Sequence, residues 1–487
     1  MNGETLFLLN DREVRTDAPP GLLVLDFLRR VAGACGTKEG CKEGDCGACA
    51  VLVGELDGDR VRYQPVTSCL LPLGEVSGKH VVSIEGLNMD QLSPVQAAIV
   101  REGGTQCGFC TPGIVVSISG LLMDETKAVD LEGVKYALSG HLCRCTGYRS
   151  LKAGVGELER ILGPGGGGDG RTAALVAAGA LPAYFTEIPQ RLRRMREAIA
   201  EQSSPPQSTN GAAHPQYFIA GGTDLYVQQG EQIPEAAVVL LGREEGLKGI
   251  AIDSGRVRLG ALTTFEEFAT HPEILKLIPG MPGYNRLLAS WQVRNRATLA
   301  GNIINASPIG DMTALLLALE TELVFRGSDI DAELRTVPMK SFYHGYKKMD
   351  RSAGEVLVEV NFPVPPQGSK IHFEKVSKRT CLDIASVNSA IRVLCQNGVI
   401  DDIQITLGGV APIPYFLKNT CDFLNRKPLN LETVMAGISV SQEEIAPISD
   451  VRGSAGYKQL LARQLLIAHF THLFPETLQV RDFYEAY

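Results

Sequence analysis

The chain has 487 residues, room for about three to four domains of ordinary size. Hydrophobic residues make up 44% and charged residues 21%, which suits a globular protein with real cores. The formal net charge of −8 supplies no basic field to gather phosphates, so nucleic acid is not an expected partner. No apolar run is long enough to span a bilayer, and an N-terminus with Glu4 and Asp11 does not read as a signal peptide. Composition therefore points to a cytoplasmic protein with no membrane partner.

Glu4 to Leu9 reads as a strand that enters a hairpin at Asn10-Asp11. Leu22 to Val31 has apolar residues at helical spacing and leads into the loop Cys41-Lys-Glu-Gly-Asp-Cys46-Gly-Ala-Cys49. With Cys69 further on, the spacing C-x4-C-x2-C…C is that of a plant-type [2Fe–2S] site. Such a loop needs residues free to take positive φ, and Gly40, Gly44 and Gly47 are placed to supply them. Four thiolates can also hold zinc, but zinc sites usually come as two short C-x2-C knuckles rather than a crowded triplet. Ala50–Val53 and Arg60–Gln64 read as strands joined at Asp57-Gly58.

From Ser93-Pro94 the texture turns helical, in the cap-then-proline order that starts helices. Helical segments are expected from Val95 to Arg101, Ile114 to Met123, Leu131 to Leu138 and Leu151 to Leu162. A second cysteine set, Cys107, Cys110, Cys143 and Cys145 in the pattern C-x2-C-x32-C-x-C, falls at the turns between them. Taken alone, this set leaves zinc open; beside the first loop it favours a second [2Fe–2S] cluster. Cys35, Cys381, Cys395 and Cys421 remain, and their default reading is inert. Glycine-rich 163–170 and Ser203-Ser204-Pro205-Pro206 read as flexible breaks. The stretch 163–214 is expected to be a surface linker between domains that can include a short helix; its Arg191–Arg194 run reads as a solvated face, with a docking role as the alternative.

Strands and helices alternate from Gln216 to Pro365. Phe218-Ile219-Ala220-Gly221-Gly222-Thr223-Asp224-Leu225 is a strand running into a Gly-Gly turn, which lets backbone N–H groups approach a pyrophosphate. It is not G-x-G-x-x-G, so a Rossmann fingerprint is absent. A second loop, Thr298-Leu299-Ala300-Gly301-Asn302, runs on to Gly310-Asp311, where Asp311 could accept from a ribose or ribityl hydroxyl. Two such loops suggest a clamped dinucleotide. Beyond residue 370, a strand is expected at Ile403–Leu407, with helices near Leu431–Met435 and Tyr457–Leu473.

In its order of elements, the chain resembles the small, iron–sulfur/FAD subunit of bacterial two-subunit xanthine dehydrogenases in the molybdenum hydroxylase family. The segments Thr37-Lys38-Glu39-Gly40-Cys41, Gln106-Cys107-Gly108-Phe109-Cys110 and Leu142-Cys143-Arg144-Cys145-Thr146-Gly147-Tyr148 carry the resemblance. It implies an α+β multidomain fold. The parts are a β-grasp ferredoxin-like domain (1–86), a four-helix iron–sulfur domain (87–162), the linker (163–214), a two-part FAD-binding domain (215–367) and a C-terminal α+β flavoprotein domain (368–487). It implies two [2Fe–2S] clusters on the eight cysteines and a non-covalent FAD on Ile219 to Leu225, Thr298, Ala300, Gly301, Asn302, Asp311, Leu357 and Lys375. Leu288 stands where relatives often have an aromatic ring, three residues before the only tryptophan, Trp291. Arg379 is the expected tuner of flavin charge, and Gln106 the link to a pterin held by a partner. The implied partner is a large molybdopterin-binding subunit, in a heterotetramer of two copies of each. The implied activity passes electrons from that partner's molybdenum cofactor, through both clusters and FAD, to NAD⁺ during oxidation of hypoxanthine to urate. Another molybdenum hydroxylase and a zinc-stapled scaffold are the alternatives, and oxygen competes with NAD⁺ as acceptor.

Overall fold

The computed structural model describes residues 4–162, 170–202, 217–327 and 333–485. The chain divides into two compact units, Met1–Arg243 with Ser290–Arg296, and Glu244–Ala289 with Ala297–Tyr487. Both mix helix and sheet, giving the α+β multidomain fold.

In the first unit, five strands lie in the order Arg12–Thr16, Thr5–Leu9, His80–Val82, Ala50–Asp57, Arg60–Thr67. Thr5–Leu9 pairs with His80–Val82 in parallel and the other pairings are antiparallel, the mixed sheet of a β-grasp domain. All five residues of Thr5–Leu9 are buried, because side chains alternate across a strand and this one is covered on both faces. Phe7 and Leu9 face a core with Val24, Phe27 and Leu28. Leu6 and Leu8 face Ile188, Leu192 and Met195.

Those last three residues correct the expectation for 163–214. Helices span Arg171–Ala177 and Ile188–Gln202, and the second lays Ile188, Leu192 and Met195, spaced at one helical face, onto the sheet. The arginine run is not a free basic face either. Arg191 donates to the Asp11 carbonyl, Arg193 pairs with Asp59 at 2.8 Å and Arg196 lies 3.7 Å from Glu55, so the run fastens the helix to the sheet. The breaks at 163–169 and Ser203–Pro206 lie outside the described residues.

The helical part follows its caps. Ser93 and Gln96 form a capping box at the start of Pro94–Arg101. Thr111–Met123 is buried along nearly its whole length and centres the core. Leu131–Ala137 follows, and the expected helix over Leu151–Leu162 is two pieces, Arg149–Ala153 and Val155–Leu162, broken at Gly154.

In the second unit, an antiparallel sheet runs Arg335–Pro338, Glu322–Arg326, Val356–Pro363, Arg256–Gly260, Ile250–Asp253. A second antiparallel sheet runs Lys370–Val376, Val387–Gln396, Val399–Gly408, Tyr415–Phe416, and the helix Ala455–Leu473 packs on it. Strand and helix seam meet at three histidines. His372 Nδ1 lies 2.8 Å from His469 Nδ1, and the His372 and His472 rings stack at 4.1 Å. Glu374 is 3.5 Å from His372 Nε2. One Nδ1 must donate and the other accept, so the accepting imidazole is neutral.

Burial holds His372 down to about 4, with the neighbouring His472 adding to it, and holds His469 well below its ordinary value. A folded pKa below the unfolded one means that the unfolded chain takes up protons first. The stability is present above pH 6.5 and drains as pH falls from there toward 4. Between pH 7 and 4 the Ala455–Leu473 helix is expected to lose about 2 kcal/mol of protection. Hydrogen exchange of that helix, corrected for the intrinsic pH dependence, measures it; protection independent of pH contradicts the seam.

Candidate iron–sulfur and flavin sites

The first cysteine loop brings its thiols together in pairs. Cys41 and Cys46 are within hydrogen-bonding reach of each other, as are Cys49 and Cys69. The Cys46 thiol, donating to Cys41, holds that group down to about 5 and is itself pushed up. The Glu43 N–H reaches Cys41 Sγ at 3.3 Å. Gly44 and Gly47 take positive φ, +80° and +69°, as expected. Gly40 does not; it is glycine because a Cβ there would lie 2.8 Å from Cys46 Sγ, and Lys42 takes a positive φ instead.

The helical set is also paired. Cys107 and Cys145 are exposed with their sulfurs 3.7 Å apart, and Cys110 bonds Cys143. Burial, then the Cys143 bond, pushes the Cys110 thiol up to about 12. Burial is the largest influence on Cys143 and opposes its ionisation, but the Thr146 hydroxyl, 3.0 Å from its sulfur, together with the Thr146 and Cys145 backbone and the Cys110 thiol, outweighs it and lowers that group. Tyr148 ties the loop down, its hydroxyl donating to the His141 carbonyl and accepting from the Cys143 N–H. Gln106 Nε2 donates to the Cys145 carbonyl at 3.2 Å.

Both sets fit a two-iron cluster. A single zinc needs its thiolates to converge on one point. Among the described residues no three His, Cys, Asp or Glu groups are gathered to hold one ion, whereas paired sulfurs give each of two irons its two ligands. The two loops also touch. The Leu142 N–H donates to the Cys46 carbonyl at 3.1 Å, joining the residue before one ligand to another ligand directly. On its other side the first loop packs Cys49 and Cys69 against Ile219, at the end of the strand Tyr217–Ile219. The Gly221-Gly222 turn follows, with Gly222 at φ +75° and the Gly221 carbonyl held by Arg296 at 3.0 Å. Ala220, Thr223 and Leu225 are half-buried and Asp224 is exposed.

In the second unit, Asp311 and Lys375, 64 residues apart, form an ion pair at 2.6 Å. Asn388, which sequence reasoning missed, donates to the other Asp311 oxygen at 2.6 Å. A buried asparagine in the apolar strand Val387–Gln396 was the available signal. Thr298 caps the helix Leu299–Asn305 by accepting from Gly301 N–H, and Asn302 accepts from the Thr313 hydroxyl and N–H, so both already carry structural roles. Ala300 and Leu357 are buried. Leu288 is buried, and the next residue, Ala289, accepts from the Leu382 N–H. Arg379 curls onto its own loop, donating to the Leu382 carbonyl. Trp291 belongs to the first unit, where it packs against Tyr136.

Two paired-thiol loops followed by two antiparallel sheets define an iron–sulfur protein with a further sheet-built module, and the family models say what that module is. Family models match in the same order. A 2Fe-2S iron-sulfur cluster binding domain covers residues 7–73 and a [2Fe-2S] binding domain 83–156. The FAD binding domain in molybdopterin dehydrogenase covers 207–365, and the CO dehydrogenase flavoprotein C-terminal domain 372–473. Both cysteine sets thus fall in iron–sulfur models, and the zinc scaffold is set aside. The chain belongs to the molybdenum hydroxylase family, of which it carries the iron–sulfur and FAD parts.

Xanthine dehydrogenase of Emericella nidulans is 29% identical over 94% of this chain and 38% of its own length. Xanthine dehydrogenase/oxidase of Rattus norvegicus is 30% identical over 91% of this chain and 37% of its own. The chain therefore spans well under half the length of these relatives. Among solved structures, carbon monoxide dehydrogenase from Hydrogenophaga pseudoflava matches 51% of this chain and 86% of that one, at 28% identity and a TM-score of 0.48. No helix among the described residues is long and apolar enough to cross a membrane.

Proposed function

We propose that the chain is the electron-transfer subunit of a xanthine dehydrogenase, taking electrons from a molybdenum centre in a partner subunit and delivering them to NAD⁺. Two [2Fe–2S] clusters supply one-electron steps, and FAD joins them into two-electron chemistry. The observation that carries this reading is the unbroken packing of ligand loops. Cys143 connects to Cys46 through the Leu142 N–H, and Cys49 and Cys69 pack on the strand that leads to Gly221-Gly222.

The chain's own residues have distinct tasks. Phe109 and Leu142, exposed and next in sequence to Cys110 and Cys143, and the exposed Cys107 and Cys145 are offered to a molybdopterin-binding partner, with Gln106 bonded to the Cys145 carbonyl. The Gly-Gly turn offers backbone donors to a pyrophosphate. Lys375 and Asp311 hold a fixed charge pair in the flavin domain, with Thr298, Ala300, Gly301, Asn302, Leu288, Leu357 and Arg379 as the remaining flavin contacts. The domain limits 1–86, 87–162, 215–367 and 368–487, the heterotetramer and the cytoplasmic location belong to this proposal.

Purified chain with about four irons and a flavin spectrum supports the reading; colourless protein overturns it. Co-expression with the molybdenum-binding partner, assayed anaerobically with NAD⁺, tests the substrate. Turnover of hypoxanthine and xanthine is expected, and turnover confined to an aldehyde overturns the xanthine assignment.

A further inference from the structure

Residues 291–294 fold as one helical turn whose sequence lies within the flavin-domain match but whose side chains belong to the iron–sulfur unit. Gln292 is fully buried there. Its Nε2 donates to the Ala137 carbonyl at 2.7 Å and to Ser117 Oγ at 3.0 Å. Ser117 Oγ is in turn 2.8 Å from His141 Nε2. Gln292 Nε2 also lies 3.3 Å from His141 Nε2 itself, so amide, hydroxyl and imidazole form one closed cluster.

His141 sits where the two ligand loops meet, one residue before the Leu142 N–H that bonds Cys46. Three glycines let the backbones close at this point. A Cβ on Gly47 would lie 2.3 Å from the Gly140 carbonyl and 2.4 Å from His141 Nδ1; one on Gly113 would lie 2.3 Å from the Gly47 carbonyl. A Cβ on Gly140 would lie 2.2 Å from Gln292 Oε1. The same turn reaches the first loop directly, since a Cβ on Gly44 would come within 3.3 Å of Val293.

A buried glutamine can exist simply to satisfy the last carbonyls of a helix, and Ala137 O is one. That role does not explain the second bond, through Ser117 to an imidazole wedged between both ligand loops. We propose that Gln292, acting through Ser117 and His141, is a positioning residue that sets the separation of the two iron–sulfur sites and hence the rate at which electrons cross between them. An electron crossing this joint makes and breaks no bond and moves no proton. Distance and the Cys46 C=O···H–N Leu142 contact govern it. The inference rests on the functional reading above.

The test uses the full chain with both clusters loaded, in Gln292→Met, Ser117→Ala and Gly113→Ala variants. Iron content and the visible spectrum report loading. Magnetic coupling between the two reduced sites, seen as splitting in the electron paramagnetic resonance spectrum, reports their separation. Pulse radiolysis reports the crossing rate. We expect full iron, a smaller splitting and several-fold slower crossing in all three variants. Unchanged splitting and rate in Gln292→Met at full iron overturn the proposal. If one variant fails to load, the other two decide; loss of iron in all three overturns it in favour of a purely structural role. Wild-type protein without iron would instead sink the functional reading itself.

Discussion

Cys69→Ser is expected to remove about half of the iron and to loosen the first unit, whereas Cys145→Ser removes the other half and leaves the fold standing. The difference comes from burial rather than from ligation. Cys69, on the short turn Ser68–Leu70, is 1% exposed among Leu23, Leu25, Leu70, Ile219, Tyr226 and Ile233. A serine hydroxyl stranded in that apolar setting costs about 1–3 kcal/mol beyond the lost metal bond. Cys145 is exposed and has no core to disturb. Because Ile219 shares the Cys69 cluster and leads into Gly221-Gly222, Cys69→Ser should also lower the flavin retained on purification. Iron assay, flavin absorbance and thermal unfolding of both variants measure this. Equal destabilisation by the two substitutions would refute the argument from burial.

Much of this was legible in the sequence because it is local. The Ser93-Pro94 cap is written within a few residues and folds as read, and the hairpin signal at Asp57-Gly58 is off by one residue, since Asp57 still pairs with Arg60 and Gly58-Asp59 make the turn. The stretch 163–214 misled for a physical reason. Ile188, Leu192, Met195 and Ile199 carry a helical stripe, but flanking glycines, prolines and arginines resemble a linker until the sheet that the stripe covers is known. Gly40 misled differently, since crowding by Cys46 and positive φ leave the same residue in a sequence. The Gln292–Ser117 bond spans 175 residues, and Asn388 reaches Asp311 across 77. No periodicity or motif encodes such pairings; only tertiary closure does.

Lys375→Met is expected to destabilise the second unit by about 3–5 kcal/mol, the usual result of removing one partner from a buried ion pair. The Lys375 side chain is 1% exposed and that of Asp311 16%. The ammonium also donates to the Leu287 carbonyl at 2.9 Å, so methionine leaves a carbonyl and a carboxylate oxygen short of a donor. Asn388 still serves one Asp311 oxygen and the Ile309 carbonyl, which limits the damage without replacing the charge. Two apolar residues can fill the space of a buried pair without an uncompensated charge, so Lys375→Met with Asp311→Leu should recover most of the loss. Urea unfolding of the single and double variants measures the coupling between them. Flavin content then separates two roles. If the pair only holds strand Lys370–Val376 to helix Asp311–Ala318, the double variant regains stability and flavin together. If, as proposed, the two side chains also meet the cofactor, stability returns while flavin does not.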